Sequence, residues 1–360
     1  MSWFNRGNGD LVGIDISSAV VKLVELSKKG DVFTVDTYAV APLAREDADN
    51  KISYEQRISD AIKKVLKFSK SKGKTACIAV PGASVKKAII QVPINLSEYD
   101  LEDQVRQEAD KYVEYTLSEM HLDYEVIGIN KDNPELQDVL FAASRQELIN
   151  EKINIVESAG LIPKVVDVDT FAMENMFSLI KHQLPHYKED QLIAICDVGA
   201  SMTTLMILDS GHHIYDTEQS FGGKQLTEAI QHHYQMNFDE AGYAKRHGGL
   251  LDGYSKEILV PFSNGLVREL ERLIDRYYSS SDVKKIDGTG DIQKIDGIVL
   301  AGGCSSIDGI ADLVSAAFKL PTIVANPFTD MKMSRHIEEG LHNDAPALVI
   351  ACGLALRKFD

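Results

Sequence analysis

Apolar and polar residues alternate from residue 11 to residue 40, which predicts three consecutive β-strands joined by tight turns. The first turn follows Asp15 and passes through Ile16, Ser17 and Ser18. A carboxylate has little reason to lie in an apolar strand pair unless it meets a cation or a hydrogen-bond network. Asp15 is therefore the first candidate functional residue.

The same pattern returns far along the chain, over residues 192–208. Asp197 takes the place of Asp15, and Gly199, Ala200 and Ser201 form the turn. A third strand is expected to close near Asp216. The chain is therefore predicted to contain an internal duplication of architecture, although the two stretches differ in residue identity.

Residues 86–168 are predicted to form a unit inserted in the first half. The pattern is strand, helix, strand, strand, helix, strand, with Ser97 and Ser144 as the N-caps of the two helices. The last strand is expected at residues 164–168. This order predicts a small split sheet with two helices on one face.

The other helices are predicted from apolar residues at helical spacing. They cover residues 54–70, 169–184, 227–235, 239–247, 258–278 and 346–358, with one more helix after Gly309. Fully apolar strands are expected at residues 75–80 and 297–300, as in a sheet covered on both faces.

The composition of the chain argues against some classes of function. The 360 residues include 38 basic and 54 acidic side chains, a formal charge of −16, which argues against a nucleic-acid-binding surface. The length suits two domains, and 44% hydrophobic residues allow a sizeable core. The four cysteines form no CxxC pair, as expected of buried thiols in a reducing compartment. Neither a signal peptide nor a membrane span is expected.

Three turns carry the candidate chemistry: those after Asp15 and Asp197, and the stretch Gly302–Gly303 with Ser305. Glycine and serine allow backbone N–H groups to approach phosphate oxygens closely. Two carboxylates facing each other across a cleft suit Mg²⁺, held largely through water. Each aspartate alone is more simply explained as a turn cap, but the duplicated pair favours a metal role.

Other candidates have equally simple structural explanations. Gly302–Gly303 alone is typical of a strand–helix connection. Lys224 suits a solvated loop, and Lys245 suits a surface helix position. The stretch 222–225 is not a Walker A loop, because it lacks Ser or Thr after the lysine and the upstream glycine.

Six short motifs in order carry a resemblance to a known family. They are GIDISSAVVKLVEL, VVDVDTFAMEN, DVGASMTTLMIL, FGGKQLT, LAGGCSSIDGI and ACGLAL. The chain resembles the PilM family of type IV pilus assembly proteins, which is related to FtsA and belongs to the actin, Hsp70 and sugar-kinase superfamily. The resemblance implies an α/β, actin-like ATPase fold with two RNase H-like halves and an FtsA/PilM-type inserted subdomain.

The resemblance also implies a division of the chain. The first half would comprise residues 1–82 and 167–188, with a C-terminal helix in residues 346–360 packing back onto it. The inserted subdomain would comprise residues 83–166, and the second half residues 189–345.

The resemblance further implies ATP and Mg²⁺ as ligands, with weak hydrolysis or none, and no catalytic residue is assigned. Asp15 and Asp197 would hold the metal. The implied ATP-binding residues are Asp15, Ser17, Ser18, Lys22, Asp197, Gly199, Thr203, Gly223, Lys224, Lys245, Gly302, Gly303 and Ser305.

The implied partner is the cytoplasmic N-terminal tail of PilN, docked in a groove bordered by the inserted subdomain. The protein would act as a cytoplasmic scaffold at the inner-membrane face, held there through partners and linked to the pilus motor ATPases. A homo-oligomer is left open. Two alternatives remain: an FtsA-like cell-division scaffold, and a small-molecule kinase or active ATPase with Asp169 as the acidic candidate base.

Overall fold

The computed structural model describes residues 10–44, 52–113, 115–251, 253–285 and 289–360. Residues 1–9, which the resemblance assigns to the first half, lie outside this part of the chain. The strands in chain order are β1 (Leu11–Ile16), β2 (Val20–Lys29), β3 (Val32–Pro42), β4 (Thr75–Val80), β5 (Val85–Pro93), β6 (Met120–Ile129), β7 (Leu136–Arg145), β8 (Ile162–Val168), β9 (Leu192–Val198), β10 (Thr203–Asp209), β11 (His212–Gln219), β12 (Gly297–Ala301) and β13 (Thr322–Val324). The α-helices are α1 (Tyr54–Ser69), α2 (Glu98–Ala109), α3 (Gln146–Ser158), α4 (Asp169–Ile180), α5 (Gly223–Tyr234), α6 (Phe238–His247), α7 (Val260–Tyr278), α8 (Ile310–Phe318), α9 (Arg335–Asp344) and α10 (Val349–Leu356).

Two five-stranded sheets share one topology. The first has the order β3-β2-β1-β4-β8 and the second the order β11-β10-β9-β12-β13. In each, the first three strands are antiparallel and the last two run parallel to the central strand. The predicted duplication is therefore confirmed in strand order as well as in the two hairpins.

Strand register places the two carboxylates at equivalent positions. Asp15 lies near the end of β1, directly opposite Lys22 on β2. Asp197 lies near the end of β9, opposite Thr204 on β10 and beside Ala301 on β12. Both aspartates therefore come immediately before the turn that closes their hairpin.

A third sheet, of order β5-β7-β6, forms the inserted unit. Helix α2 covers one face of it, and its Val105 and Ala109 pack with Ile90 and Phe141 of the sheet. The N-cap of α2 is Ser97, as predicted, because its hydroxyl accepts a hydrogen bond from the N–H of Asp100.

The inserted unit is smaller than predicted. Strand β8 pairs with β4 in the first sheet, so residues 164–168 do not close a split sheet. Helix α3 also belongs to the first half, since its Ile155 and Val156 pack in the core of that half. Ser144 is not a helix cap: it lies within β7, and its hydroxyl donates to the carbonyl of Ser84.

A second difference concerns the chain between β13 and α10, which prediction placed in the second half. Phe328, Met331 and Leu341 pack instead against β2 and β3 of the first sheet. The N–H of Val35 on β3 donates to the carbonyl of Lys332 at 2.8 Å. This stretch includes α9, which the hydrophobic pattern did not predict, and crosses from the second half back to the first.

Helices α4 and α10 lie between the two large sheets. Met173 and Phe177 of α4 pack on the second sheet, whereas Ala172 packs with residues of the first. An ideal Cβ added to Gly353 of α10 would lie 1.8 Å from the carbonyl oxygen of Ala172. The two helices therefore cross in backbone contact, and only glycine fits at the crossing.

The helices of the second half begin near their predicted positions. Helix α5 starts at Gly223, four residues before the predicted Thr227, so Gly223 and Lys224 occupy its first turn. A π-helical turn over Tyr254–Leu259 precedes α7. In the described part of the chain, no helix combines the length and the apolarity that crossing a membrane requires.

The helix crossing predicts the effect of one methyl group. Gly353→Ala is expected to lower the free energy of unfolding by about 1–3 kcal/mol, because the backbones must separate. Urea unfolding followed by circular dichroism measures this change. Gly265→Ala on α7 is the matched control, since its Cβ would meet Phe221 at an ordinary 3.6 Å. A Gly353→Ala chain as stable as the control would contradict the tight crossing.

Candidate functional site

The two hairpin turns meet across the cleft between the halves. The hydroxyl of Ser18, in the turn after β1, donates to the hydroxyl of Ser201, in the turn after β9, at 3.0 Å. These residues are 183 positions apart in the sequence. Ser201 was not among the predicted site residues, although its place in the duplicated turn corresponds to that of the serines after Asp15.

Lys22 is the cation shared by the two carboxylates, of which Asp15 is buried and Asp197 half-buried. Its Nζ lies 2.7 Å from Oδ2 of Asp15, the residue opposite it in the strand register. The side chains of Lys22 and Asp15 are only 12% and 9% exposed. The charge of Asp197 also acts on Lys22. The structure therefore brings Asp15 of the first sheet and Asp197 of the second sheet to the same lysine.

The pKa values reflect this shared charge. Burial raises the pKa of Asp197 to about 6; the charge of Lys22 opposes that rise and the charge of Asp15 adds to it. Burial lowers the pKa of Lys22, but the two carboxylates outweigh burial and raise it above its usual value. Two like charges are held in one buried site because a cation lies with them.

Gly302 allows the third turn to approach Asp197. Its φ is +84°, and an added Cβ would lie 2.4 Å from Oδ1 of Asp197. Gly303, the next residue, has open space on its Cβ side, where the nearest atom is Ala347 Cβ at 4.0 Å. The turn after β12 therefore presents bare backbone beside the second carboxylate.

Three predicted site hydroxyls already bind backbone carbonyls. Ser17 Oγ donates to Val20, Thr203 Oγ1 to Phe221 and Ser305 Oγ to Ala301. Thr203 and Ser305 are also buried. The structure thus shows these three hydroxyls bonded to the backbone, and the role of the residues as ligands stays a prediction.

Gly199, Gly223 and Lys245 lie together in the second half. The N–H of Gly223 donates to the carbonyl of Gly199 at 3.0 Å. Lys245 Nζ donates to the carbonyl of Gly223 and to Thr227 Oγ1, at 2.9 and 2.7 Å. Lys245 is thus tied to the first turn of α5 and is not a solvated surface lysine.

Lys224 is not brought to the carboxylates. Its side chain is 57% exposed and lies 3.7 Å from Glu228, one turn along the same helix. Its N–H donates to the carbonyl of Ala200 at 2.7 Å. The simpler prediction of a solvated lysine describes this side chain.

The two turns keep backbone donors available for an anion. Within the described part of the chain, the N–H groups of Ser18, Ala200 and Ser201 bond to no other residue. Such unpaired N–H groups at a turn form a cradle for phosphate oxygens. Among the described residues, no group of three or more His, Cys, Asp or Glu side chains is arranged so that it could hold a metal ion. A cation beside Asp15 and Asp197 would therefore take its remaining ligands from water or phosphate, as Mg²⁺ does.

A cavity of about 360 Å³ adjoins the third turn. It is lined by Ser305 and Ser306, by Asn326, and by His342 and Asn343. Neither Asp15 nor Asp197 lines it. Its size suits a small organic group beside the turns, apart from the carboxylates.

Lys152 is a further charged residue near the cleft that the sequence did not single out. It lies on α3 and is 8% exposed, and burial lowers the pKa of its amine. The charge of Asp15 acts on it. Its pattern is that of any helical lysine, so only the packing of α3 into the first half reveals it.

Asp169, the candidate base of the kinase alternative, lies at the start of α4. Its Oδ1 accepts a hydrogen bond from the N–H of Gly82 at 2.8 Å. Burial raises its pKa to about 7, although the hydrogen bond from Gly82 and the charge of Lys87 both lower it. The charges that act on it come from Lys87 and Asp216, and not from the carboxylate pair of the cleft.

Comparison with known proteins gives the same architecture. A structure of the PilM–PilN type IV pilus biogenesis complex is similar over 98% of this chain and 99% of that chain, with a TM-score of 0.73 and 25% identity. The ethanolamine utilization protein EutJ from Carboxydothermus hydrogenoformans covers 96% of this chain and 89% of its own, with a TM-score of 0.51 and 14% identity. An archaeal actin homologue in complex with ADP covers 96% and 97%, with a TM-score of 0.50 and 12% identity.

These likenesses confirm the predicted actin-like fold, with its two equivalent sheets and an inserted unit. The family model described as "Type IV pilus assembly protein PilM" matches residues 13–359, nearly the whole chain. The match includes all three turns around the cleft and the inserted sheet. The chain belongs to the PilM family of type IV pilus assembly proteins.

Proposed function

We propose that the chain binds ATP with Mg²⁺ between its two hairpin turns. The observation that carries the proposal is that Asp15 and Asp197 both act on Lys22. The turns that follow the two aspartates are in contact through Ser18 and Ser201. An archaeal actin homologue of the same fold is in complex with ADP, which supports a nucleotide as the ligand.

Each group would have a distinct role. The free N–H groups of Ser18, Ala200 and Ser201 would donate to phosphate oxygens, and Lys22 would neutralise their charge. Asp15 and Asp197 would hold Mg²⁺ through its water ligands. Bound there, the metal would offset the phosphate charge. The cavity beside Ser305 would take the nucleoside end.

We also propose that this chain is a scaffold that binds the N-terminal tail of PilN. Membership of the PilM family and the similarity to a PilM–PilN complex support this partner. Ile89 on β5 is 57% exposed and lies opposite Leu140 on β7. Leu140 and the α3 residues Leu148 and Ile153 are partly buried and pack against the same apolar cluster, which joins the inserted sheet to the first half. We infer that these side chains form an apolar strip between the two units. An extended peptide is suited to such a strip beside a sheet.

This proposal also gives the protein's place in the cell. Bound to the tail of an inner-membrane protein, the chain would lie at the cytoplasmic face of that membrane and would need no membrane contact of its own. From there it would link the membrane proteins to the pilus motor ATPases, and ATP would favour the closed arrangement of the two halves.

The kinase alternative has less support. A catalytic base must reach the proton that it removes. Asp169 instead accepts from the backbone of Gly82, and its charged neighbours are Lys87 and Asp216. Membership of the PilM family favours the pilus scaffold over the FtsA-like division scaffold as well.

Removing one carboxylate tests the nucleotide site. Asp197→Ala is expected to weaken Mg-ATP binding at least tenfold, about 1.4 kcal/mol, because the metal loses one of its two carboxylates. Isothermal titration calorimetry measures the affinity, and circular dichroism checks the fold. Asp190→Ala, at an exposed position just before β9, is the control. Undiminished affinity in Asp197→Ala would refute the proposed site.

Charging the apolar strip tests the PilN surface. Ile89→Glu is expected to weaken binding of a synthetic PilN tail at least tenfold, since burying an isoleucine contributes about 1.5–3 kcal/mol. Fluorescence anisotropy of the labelled tail measures binding. Leu251→Glu introduces the same charge at a 79% exposed leucine of the second half and should leave tail affinity unchanged. Equal affinity for both variants would place the tail elsewhere.

The pKa of Asp169 predicts a pH dependence. Its folded-state value of about 7 lies above its ordinary 3.8, so the folded state holds the proton more tightly. This carboxyl therefore contributes stability at low pH that is lost as the pH rises from about 4 to 7. Asp169→Asn, which keeps an acceptor for Gly82, should be more stable than the unmodified chain at pH 8, with the gain vanishing towards pH 4.

Urea unfolding of both chains at several pH values gives this comparison. Asp60→Asn, at a 46% exposed carboxylate on α1, serves as the control. A stability gain for Asp169→Asn that stays constant across the pH range would show that Asp169 does not titrate as described.

A further inference from the structure

One buried polar cluster joins all three units of the fold. Lys87 belongs to β5 of the inserted sheet, Thr170 to α4, and His213 and Asp216 to β11 of the second sheet. Lys87 Nζ forms an ion pair with Asp216 Oδ1 and donates to Thr170 Oγ1 at 3.1 Å. Nε2 of His213 bonds to the same Oδ1 of Asp216 at 2.6 Å.

The cluster is shielded from water. The side chains of Lys87 and Asp216 are 11% and 14% exposed. The Lys87 ammonium lies 5.7 Å from the centre of the Phe171 ring, and that ring meets His213 edge-on. Separating the pair would leave a buried charge without a partner, which is strongly unfavourable. The contact therefore favours one relative position of the elements that carry it.

The ion pair also has a distinctive place in the topology. Covalently, the inserted sheet is continuous only with the first half, through the chain before β5 and the chain after β7. The Lys87–Asp216 ion pair connects the inserted sheet to the second half. That sheet is thus attached to one half by the chain and to the other by this pair.

The second sheet carries both Asp216 and the cleft carboxylate Asp197. Asp216 on β11 is opposite Met206 on β10, and Thr204, two residues before Met206, is opposite Asp197 on β9. Hydrogen-bonded strands move as one body. A displacement that separates Asp197 from Asp15 therefore either carries Lys87 along with Asp216 or breaks their ion pair.

We propose that the Lys87–Asp216 ion pair is a latch that couples the position of the inserted sheet to the opening and closing of the cleft. While the latch is closed, the inserted sheet follows the second half. When it is open, the sheet is held by the first half alone. The coupling to a ligand rests on the proposed binding of ATP in the cleft, whereas the latch itself rests on the contacts above.

Distance measurements test the latch in the full chain. Nitroxide labels on Tyr99→Cys in α2 and Tyr243→Cys in α6, both at exposed positions, report the separation of the inserted unit from the second half. Double electron–electron resonance is expected to give one narrow distribution for the otherwise unmodified chain. Asp216→Asn should broaden it and shift it to longer distances.

The control variant removes an ion pair that joins no two units. Asp60→Asn breaks the exposed Lys63–Asp60 pair within α1 and should leave the distribution narrow. If Asp216→Asn does not fold, Lys87→Gln removes the same ion pair from its other side. The double variant of Lys87 and Asp216 should match the single variants, because one interaction is lost in each. A distribution in the folded variants equal to that of the control would overturn the latch.

Adding Mg-ATP separates the latch from the nucleotide proposal. Mg-ATP should shift the distribution of the latched chain and have a smaller effect on Asp216→Asn. Calorimetry on the same samples reports binding directly. If the latched chain does not bind ATP, the proposed nucleotide site is refuted. The label distances in the latched chain and in Asp216→Asn still show whether the latch exists. Bound ATP with equal shifts in both chains would overturn the coupling.

Discussion

The backbone contact between α4 and α10 is the constraint on which the rest of the structure depends. Both helices lie between the two large sheets, and Gly353 allows α10 to touch the carbonyl of Ala172. A similar approach occurs on the other side of α10, where a Cβ at Gly13 of β1 would lie 2.2 Å from the carbonyl of Ala351. These contacts fix the spacing of the sheets, and that spacing brings the turns after β1 and β9 face to face.

The second requirement is charge compensation within the cleft. Asp15 and Asp197 are like charges that act on each other, and burial alone would favour the protonated form of Asp197. Lys22 offsets that cost, because the strand register places its amine directly opposite Asp15. The same principle applies at Asp216, where burial would raise the pKa but His213 and Lys87 lower it to about 2. Each buried carboxylate therefore identifies a place where two elements must stay together.

Local patterns predicted the elements well and their partners less well. The alternation around Asp15 and Asp197 identified both hairpins, since tight antiparallel pairs depend on neighbouring residues. Strand β8 was recognised but assigned to the wrong sheet, because a strand pattern does not specify the neighbour with which it pairs. Ser144 had the spacing of a helix cap, yet β7 continued through it. The stretch around Phe328 and Met331 was likewise apolar without indicating which half it would cover.

The sequence by itself determined the fold class, the duplication, the two carboxylate turns and the PilM family, because these follow from short-range patterns and from motifs in order. Only the tertiary structure decided which groups meet. It placed Lys22 between two aspartates, Ser18 against Ser201, and Lys87 against Asp216. It also showed that the hydroxyls of Thr203 and Ser305 donate hydrogen bonds to backbone carbonyls. Pairing across the cleft depends on how the sheets pack around α4 and α10, and no local pattern encodes that geometry.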